Sequence, residues 1–349
     1  MARARAYLDW NATTPLRPEA REAMIAAMDL VGNPSSVHAE GRAAKALMEK
    51  ARGRIASALG AEASDVVFVS GATEAAALAC EGRDLACAGV EHEAVLSWGR
   101  EVLPVDAQGR VSVTDPARST LQLANSETGV IQTLPEGLAV ADLTQGFGKI
   151  PFAFDWSGID VGFVSAHKLG GPKGIGALVI RRGLDLAARL KGGGQEMGRR
   201  AGTENIIGIA GFAAAADAAM RDLADGCWQP VADLRNILES ALSGGTSRTI
   251  SVGEGARRLP NTLCLVTPGW RGETQVMAMD LAGFAVSAGS ACSSGKVRAS
   301  RVLRAMGLDD QAAGCAMRVS LGPTSTRDEV MRFAEVWAAA RDRAVARMQ

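Results

Sequence analysis

The sequence predicts an α/β protein with a mostly parallel central sheet, helices on both faces, and a smaller α+β domain. Short runs rich in β-branched residues alternate with Ala-rich helical segments over the first two thirds of the chain. After a helical segment at residues 231–242 the pattern changes to a succession of short strands, and this later part joins the first near Asp225. With 349 residues, 47% of them hydrophobic, the chain can bury two cores. We therefore expect a large domain over residues 12–224 and a small one over 225–349, completed by residues 1–11.

Hydrophobic periodicity and turn residues predict the individual elements in order. Helices are expected at residues 18–30, 36–59, 72–80, 204–223 and 231–242. A last helix starts near Thr326, where Thr326 and Glu329 have the spacing of a capping box. Strands are expected at residues 65–70, 85–88, 101–105, 120–124, 138–142, 161–164, 177–180, 248–252, 262–266, 285–287 and 317–321.

Composition excludes several classes of function. Lys plus Arg and Asp plus Glu balance at 38 each without a basic run, which argues against nucleic acid as the main partner. The N-terminus has no apolar signal core, and no uncharged run approaches the roughly 20 residues of a membrane span. We expect a cytoplasmic protein without a membrane partner. The six cysteines include no Cys-x-x-Cys pair, so neither a disulfide framework nor an intrinsic metal site is predicted.

The segment Ser165-Ala-His-Lys168 is the first candidate for chemistry. It lies between two predicted strands and is followed by a Gly-rich turn. A lysine just beyond a buried strand can lose hydration, which lowers its pKa and makes its amine a nucleophile. Ser165 and His167 can donate to a phosphate. The pattern favours a Schiff-base lysine for a phosphate-bearing aldehyde, although a surface lysine in a tight turn would have the same local sequence.

A second candidate is the junction at Gly71. The predicted strand 65–70 runs directly into Gly71-Ala-Thr-Glu74 and an Ala-rich helix. A helix start presents free N–H groups and the positive end of the helix dipole, which suits an anion such as phosphate. Ordinary strand-to-helix turns share this pattern, so alone it does not identify a site.

Seven motifs in order make the chain resemble a cysteine desulfurase of the class V aminotransferase family, which are pyridoxal-phosphate (PLP) enzymes of fold type I. The resemblance extends from about Tyr7 to the C-terminal helix. The motifs are Gly32–His38, Ser70–Glu74, Glu91–Leu96, Asn125–Gln132, Ser165–Lys168 with Gly171–Gly174, Gly192–Glu196 followed by Arg200–Thr203, and Ser290–Ser294.

The resemblance implies roles around the cofactor ring. Lys168 matches the catalytic lysine that holds PLP and moves the Cα proton. Asp142 matches the carboxylate that pairs with the pyridine nitrogen, although a turn-forming Asp would also end a strand here. Gln145 would donate to the ring's 3-oxygen. His92 matches the imidazole stacked on the ring, which also serves catalysis in proton transfer. A histidine near a helix start is more often structural, so His92 depends on the resemblance.

The resemblance also implies a phosphate site, a dimer and a substrate site. Phosphate donors would be Ala72, Thr73, Ser165 and His167. Thr203 resembles the threonine that reaches the phosphate of the neighbouring subunit, which implies a homodimer. The substrate's α-carboxylate would be bound by Arg318 and Asn125, with Asn125 also at the cofactor and Asn11 assisting. Arg318 could equally be a strand-edge surface arginine.

Cys292 determines the reaction that the resemblance implies. It lies in the small-residue, Gly-containing segment 287–295, whereas the other five cysteines occupy apolar or helical contexts. A loop cysteine of this kind resembles the nucleophile that takes sulfur from PLP-bound L-cysteine, leaving L-alanine and a persulfide. The expected function is therefore a PLP-dependent cysteine desulfurase that supplies iron–sulfur cluster assembly through a sulfur-acceptor protein such as a scaffold.

Three other functions remain open from the sequence. A selenocysteine lyase shares nearly all the motifs, and an aminotransferase of the same fold would not need Cys292. An inactive regulatory partner would not need the complete set of catalytic residues, which argues against it.

The chain also departs from the usual pattern of the family it resembles. Trp10 replaces a common Asn, Leu143 and Thr144 replace two alanines, and the region 80–90 is short. Lys296 and Arg298 follow the Cys292 loop where an acidic residue is common. The last departure concerns which sulfur acceptor docks.

Overall fold

A computed structural model describes residues 5–243, 249–289 and 299–346. The helices are α1 (Pro18–Met28), α2 (Ala39–Leu59), α3 (Ala72–Cys80), α4 (Glu93–Leu96), α5 (Ile206–Ala224), α6 (Trp228–Ser243), α7 (Gly272–Leu281), α8 (Arg301–Ala305), α9 (Asp310–Ala313) and α10 (Arg327–Ala346). The strands are β1 (Ala6–Tyr7), β2 (Ser64–Val69), β3 (Ala86–Ala88), β4 (Arg100–Leu103), β5 (Thr120–Gln122), β6 (Val140–Asp142), β7 (Val161–Ser165), β8 (Gly176–Arg181), β9 (Ile250–Ser251), β10 (Thr262–Val266), β11 (Phe284–Ala285), β12 (Ser287–Ala288) and β13 (Ala316–Ser320).

The central sheet has five strands in the order β2-β8-β7-β6-β5. Strands β5, β6 and β7 are parallel, and β8 is antiparallel to both of its neighbours. Strand β2 therefore runs with the parallel set, and β8 alone is reversed. The parallel pair β3–β4 continues this layer through a bridge between Ala86 and Ser119. The predicted mostly parallel sheet is confirmed.

Alternate side chains of β2 pack on opposite faces of the central sheet. Val66 and Phe68 belong to a core that includes Ile55 of α2 and Phe212 of α5. Val67 and Val69 belong to a second core with the side chains of α3. This period of two follows from the strand backbone, and it places helices on both faces as predicted.

A second sheet, antiparallel, has the order β12-β13-β10-β9. Its core includes Phe284 and Phe333, whose rings meet edge to face with centroids 5.3 Å apart. The N-terminal residues Ala6 and Leu8 lie in the same core, because β1 pairs in parallel with β11. The division into domains at residues 12 and 225 stays a prediction.

Most predicted elements form, with differences that have local causes. Helix α2 begins at Ala39 rather than Ser36, because His38 caps it: the His38 Nδ1 accepts from the Gly41 N–H at 3.3 Å. The predicted strand 285–287 is two short strands that pair with different partners on either side of Val286. The capping box is confirmed, since Thr326 N–H donates to Glu329 Oε2 at 2.9 Å and Glu329 N–H to Thr326 Oγ1 at 3.3 Å.

No helix within the described ranges is long and apolar enough to cross a membrane. Helix α5, which is rich in alanine and largely buried, packs against α1 and α2 within the protein.

Trp10, one of the departures from the family pattern, packs over a glycine. The indole is 8% exposed and donates from Nε1 to Tyr7 O at 3.2 Å. A Cβ on Gly322 would lie 2.0 Å from the Trp10 ring. The absence of a side chain at Gly322 is therefore what makes room for the indole.

We predict that Gly322→Ala lowers the free energy of unfolding by about 1–3 kcal/mol, because its methyl group would overlap the buried indole. The matched control is Gly53→Ala on the exposed side of α2, where an added Cβ meets nothing within 4 Å. Gly53→Ala should raise stability by about 0.5–1 kcal/mol. Urea unfolding of the two variants measures both changes, and equal effects would contradict the proposed overlap.

Candidate active site

Four strands of the central sheet end at one edge. Strands β2, β5, β6 and β7 run in the same direction, so their carboxyl ends lie together, which is where ligands bind in open α/β sheets. Most of the predicted site residues lie at these ends or just beyond them. They are Ala72 and Thr73 after β2, Asn125 after β5, Asp142 at the end of β6 and Gln145 after it, and Ser165 at the end of β7 with His167 and Lys168 after it.

Lys168 lies in the single 3₁₀ turn that follows β7. Its Nζ donates to two backbone carbonyls of the N-terminal segment, Asn11 O at 2.7 Å and Ala12 O at 2.9 Å. Its own carbonyl accepts from Thr14 Oγ1 at 2.9 Å. The amine is thus held at a fixed place beyond the sheet edge, as the prediction of a reactive lysine requires.

Asp142 is the last residue of β6 and points its carboxylate into the same region. Its Oδ1 accepts from the Thr144 N–H at 2.8 Å. Burial raises the pKa of Asp142, and this effect is opposed by the hydrogen bond from Thr144 and by the positive charges of His92 and Lys168. A buried carboxylate facing those two groups suits a protonated ring nitrogen.

Gln145 and Lys149 form a buried polar pair behind Lys168. Gln145 donates from Nε2 to Asn11 O at 3.0 Å and accepts at Oε1 from Lys149 Nζ at 2.7 Å. Lys149 Nζ also lies 3.2 Å from Asn11 Oδ1. Lys149 is only 4% exposed and was missed by the sequence reading, although its place as the one charged residue of the stretch 143–154 was a signal of burial.

The N-terminus of α3 and the end of β7 form a small cradle. Gly176, opposite Ser165 in the sheet register, has no room for a side chain, since a Cβ would lie 2.9 Å from Gly71 Cα. A methyl group on Gly71 would stand 3.7 Å from Ser165 Oγ. Ala72 and Thr73 begin the helix here, so their N–H groups lack intrahelical acceptors. This donor set fits a phosphate.

His167 borders the cradle and is uncharged at neutral pH. Its Nδ1 lies 3.1 Å from Thr13 Oγ1. Burial, with the positive charges of Lys168 and Lys173, lowers the pKa of His167 to about 4. A neutral ring can still donate one N–H, so His167 remains compatible with the predicted phosphate contact.

Thr203 is exposed on a loop, and an ion pair between Arg200 and Glu74 joins this loop to the start of α3. Arg200 Nε lies 2.9 Å from Glu74 Oε1, and the same carboxylate accepts from the Ser70 N–H at 2.8 Å. Thr203 and Ser70 line a cleft of about 380 Å³. Arg200 and Glu74 therefore fix the position of Thr203 relative to the start of α3.

Glu196 anchors the other end of the same loop. Its side chain is 1% exposed, receives a two-pronged ion pair from Arg52 at 2.7 and 2.9 Å, and accepts from the Phe68 N–H at 2.7 Å. Glu196 has φ +49° and Met197 φ +58°, a backbone region that costs energy for residues other than glycine. The buried ion pair holds this strained turn in place.

His92 caps helix α4 and has a carboxyl neighbour in sequence. Its Nδ1 accepts from the Ala94 N–H at 3.1 Å. Glu91 is 3% exposed; its Oε1 accepts from the Gln122 N–H at 2.7 Å. Its Oε2 is buried with no hydrogen-bond partner among the described residues. Burial, with the negative charge of Asp142, raises the pKa of Glu91 to about 8.

Arg318 comes from β13 of the second sheet and reaches the same region. It is 3% exposed, so it is not the surface arginine that the sequence left possible. Its NH2 pairs with Asp9 Oδ1 at 2.7 Å, and its NH1 donates to Ser126 O at 3.0 Å. Its Nε is buried without a partner in the described part of the chain. The guanidinium therefore retains donors for a carboxylate.

Asn125 has both ends of its amide occupied within the protein. Its Nδ2 donates to Val90 O at 2.9 Å, and its Oδ1 accepts from Glu127 N–H, Thr128 N–H and Thr128 Oγ1 at 2.8–3.1 Å. In this geometry the Asn125 side chain stabilises the turn over residues 125–128. Its neighbour Ser126 is the residue that meets Arg318. Contact of Asn125 with cofactor or substrate stays a prediction.

Glu127 is a further buried carboxyl that the sequence reading missed. Its Oε2 accepts from Ser300 Oγ at 2.5 Å. Burial raises the pKa of Glu127 to about 7, although Ser300 and the positive charges of Arg318 and His92 act against this rise. A Cβ on Gly289 would lie 3.3 Å from the same oxygen. Glu127 therefore bonds to Ser300 and lies beside Gly289, with one residue on each side of segment 290–298.

Cys292, with Lys296 and Arg298, lies outside the described residues. Four of the other cysteines, Cys80, Cys87, Cys264 and Cys315, are buried, and Cys227 is partly exposed. Burial raises the pKa of Cys80 to about 12 and that of Cys87 to about 11, and it raises the pKa of Cys264 as well. A thiol that stays protonated is a poor nucleophile, so these three cysteines are unsuited to sulfur transfer.

Comparison with known proteins identifies relatives along nearly the whole chain. The Aminotransferase class-V family matches residues 6–99 and 112–333. The cysteine desulfurase of Cereibacter sphaeroides is 39% identical over 95% of this chain and 94% of its own length. The IscS-like cysteine desulfurase of Mycobacterium tuberculosis is 36% identical over 95% of each chain.

Solved structures agree with these sequence relatives. The NifS-like protein of Rickettsia africae has a TM-score of 0.88 at 30% identity and covers 97% of this chain and 99% of its own. DndA of Streptomyces lividans has a TM-score of 0.71 at 30% identity and covers 90% of this chain and 99% of its own. The similarity therefore includes both sheets.

We predict that Glu91→Gln changes the pH dependence of stability. The pKa of Glu91 is about 8 in the folded protein and about 4.3 in an unfolded chain. The folded protein therefore keeps a proton that the unfolded chain loses, and the stability it contributes falls as the pH rises through 8. Relative to wild type, Glu91→Gln should gain up to about 1.4 kcal/mol per pH unit between about pH 5 and 8.

Urea unfolding across that pH range, under identical cofactor conditions, measures the difference. Glu62→Gln makes the same chemical change at an exposed position and serves as the control. Parallel stability curves for wild type and Glu91→Gln would show that the buried carboxyl is ionised when folded.

Proposed function

The chain belongs to the cysteine desulfurases of the class-V aminotransferase family, and we propose that it removes sulfur from L-cysteine with bound PLP, passing the sulfur to Cys292. The observation that carries the proposal is the convergence of Lys168, Asp142 and the start of α3 at one sheet edge, facing Arg318 from the second sheet. Its relatives favour this activity over selenocysteine lyase or aminotransferase function.

The residues of the edge fit PLP group by group. Asp142 would pair with the ring nitrogen, Gln145 would donate to the ring oxygen, and His92 would lie on the ring face. Ala72, Thr73, Ser165 and His167 would bind the phosphate. When bound, PLP supplies the electron sink that allows bonds of the substrate to break.

Arg318 would bind the substrate's carboxylate, with Asn11 and Asn125 nearby. Arg318 is held by Asp9 and Ser126 O, so its remaining N–H groups have a fixed direction. Lys168 Nζ, placed by Asn11 O and Ala12 O, would take the Cα proton and return it.

Cys292 would act as the nucleophile. Its thiolate would bond to the substrate's sulfur as the substrate's Cβ–S bond breaks; a proton then completes the methyl group of L-alanine, and the sulfur stays on Cys292 as a persulfide. From there it would pass to an acceptor protein such as an iron–sulfur scaffold. The raised pKa values of Cys80, Cys87 and Cys264 support this assignment, because they make these three thiols poor nucleophiles.

We also propose that the enzyme works as a homodimer. Thr203 is exposed at the rim of a cleft, on a loop fixed by Arg200–Glu74 and Glu196–Arg52. A rigid, exposed loop of this kind suits contact with the phosphate of a neighbouring subunit.

We predict that the purified protein takes up PLP and absorbs visible light, and that borohydride bleaches this absorbance. Lys168→Ala should abolish the lysine-linked chromophore, because it removes the amine that Asn11 O and Ala12 O hold at the sheet edge. Absorbance spectra before and after borohydride measure this. A wild-type protein that fails to take up PLP would overturn the proposed function as a whole.

We predict that Cys292→Ala retains the chromophore but loses sulfide release from L-cysteine by at least about a hundredfold, because the sulfur has no nucleophile to receive it. Cys227→Ala, the variant of the partly exposed cysteine, is the matched control and should keep wild-type activity. Alanine and sulfide assays, with mass spectrometry of the persulfide, distinguish the two. Multiple-turnover sulfide release by Cys292→Ala would exclude Cys292 as the sulfur carrier.

A further inference from the structure

Lys149 is a buried lysine that donates to two neutral side-chain amides. Its side chain is 4% exposed, and its Nζ contacts Gln145 Oε1 at 2.7 Å and Asn11 Oδ1 at 3.2 Å. It lines a narrow cleft together with Lys168. Burying a lysine is costly, so a position like this needs a reason in the function or the fold.

The contacts of Gln145 define which end of its amide points where. Asn11 O can only accept, and it receives the Gln145 Nε2 at 3.0 Å. Lys149 Nζ donates to the other end, at Gln145 Oε1. Turning the amide over would place two oxygens together at Asn11 and would withdraw the acceptor from Lys149. The two contacts therefore select one orientation.

This orientation places the donor end of Gln145, its Nε2, beside Lys168. One N–H of Gln145 Nε2 goes to Asn11 O, the same oxygen that receives Lys168 Nζ at 2.7 Å. The amide nitrogen carries a second N–H, which the bond to Asn11 O does not use. Without Lys149, the oxygen end of Gln145 would lose its hydrogen bond, and the amide could turn.

The donor role of Lys149 does not depend on its charge. The groups that act on it electrostatically are Lys168 and Arg318, both cationic, and burial together with these charges lowers the pKa of Lys149 well below its usual value. A neutral amine keeps two N–H groups, and two acceptors lie within reach, Gln145 Oε1 and Asn11 Oδ1.

We propose that Lys149 is a positioning residue that holds Gln145 Oε1, so that Gln145 presents its N–H to the ring oxygen of the cofactor beside Lys168. The inference rests on the proposed function, which supplies the PLP and the role of Gln145. It adds a residue that neither touches substrate nor reacts, and acts through Gln145.

A double-mutant cycle on the PLP-loaded enzyme tests this. The variants are Lys149→Met, Gln145→Leu and the double variant, and the readout is the pH midpoint of the lysine-linked PLP absorbance. A donor to the ring oxygen stabilises its deprotonated form, so losing that donor should raise the midpoint by about one unit. Each single variant should raise it by a similar amount, and the double variant no further than Gln145→Leu.

Two controls separate positioning from charge. Lys173→Met removes an exposed lysine that, like Lys168, acts on His167, and it should leave the midpoint unchanged. Lys149→Gln keeps an N–H donor and should bring the midpoint back toward the wild-type value. If Lys149→Met loses PLP or unfolds too easily to be measured, Lys149→Gln is compared with Gln145→Leu instead. A midpoint in Lys149→Gln raised as far as in Gln145→Leu would then contradict the proposal.

The outcomes are distinct. Additive shifts in the cycle, or a wild-type midpoint in Lys149→Met, overturn the positioning role while leaving the proposed function intact. A wild-type enzyme without a borohydride-sensitive chromophore overturns the function itself. Coincidence of the double variant with Gln145→Leu, together with rescue by Lys149→Gln, supports Lys149 as the residue that orients Gln145.

Discussion

The hydrogen bonds of Asn11 hold the candidate site together, because this one residue connects three parts of the fold. It is 1% exposed. Its carbonyl receives Lys168 Nζ from the central sheet, and its N–H donates to Ser320 Oγ of the second sheet. Its amide carries four further contacts, to Ser126 O, Thr262 Oγ1, Lys149 Nζ and Asn261 Nδ2. A buried amide satisfied at every position is costly to remove, so the geometry around Lys168 depends on it.

The charges around this residue suit a site for anions. Lys168 and Arg318 place positive charge beside the candidate cofactor and substrate positions. The nearby carboxyl groups of Glu91 and Glu127 offset these positive charges only partly. Burial raises the pKa of Glu91 to about 8 and that of Glu127 to about 7, so each group is protonated for part or most of the time at neutral pH. Glu91 is therefore mostly protonated at neutral pH, and it does not compete with Asp142 for a protonated ring nitrogen. Burial thus leaves the site positive toward phosphate and carboxylate groups.

The sequence predicted the parts of this site that depend on local order along the chain. Asp142 ends β6, Lys168 lies in the turn after β7, and Gly71 precedes a helix, so their places at one edge follow from strand direction. The otherwise uncharged stretch around Lys149 was a signal of its burial, but its contact with Asn11, 138 residues away, could not be predicted. Strand β1 could not be predicted either, because it pairs with a strand near residue 284. Helices α4, α8 and α9 have four or five residues, too few to show a helical periodicity. Pairings over such separations leave no local pattern.

Trp10, at a position where the family commonly has Asn, strengthens the connection that Asn11 makes. Its neighbours on either side serve the two sheets: Asp9 pairs with Arg318, and Asn11 receives Lys168. The indole lies against Gly322, just beyond β13, the strand that carries Arg318. Because a packed tryptophan has little freedom, the carboxylate of Asp9 and the carbonyl of Asn11 keep a fixed spacing. The substitution therefore does not remove a catalytic group. It fixes the distance between the arginine that would hold the substrate and the lysine that would act on it.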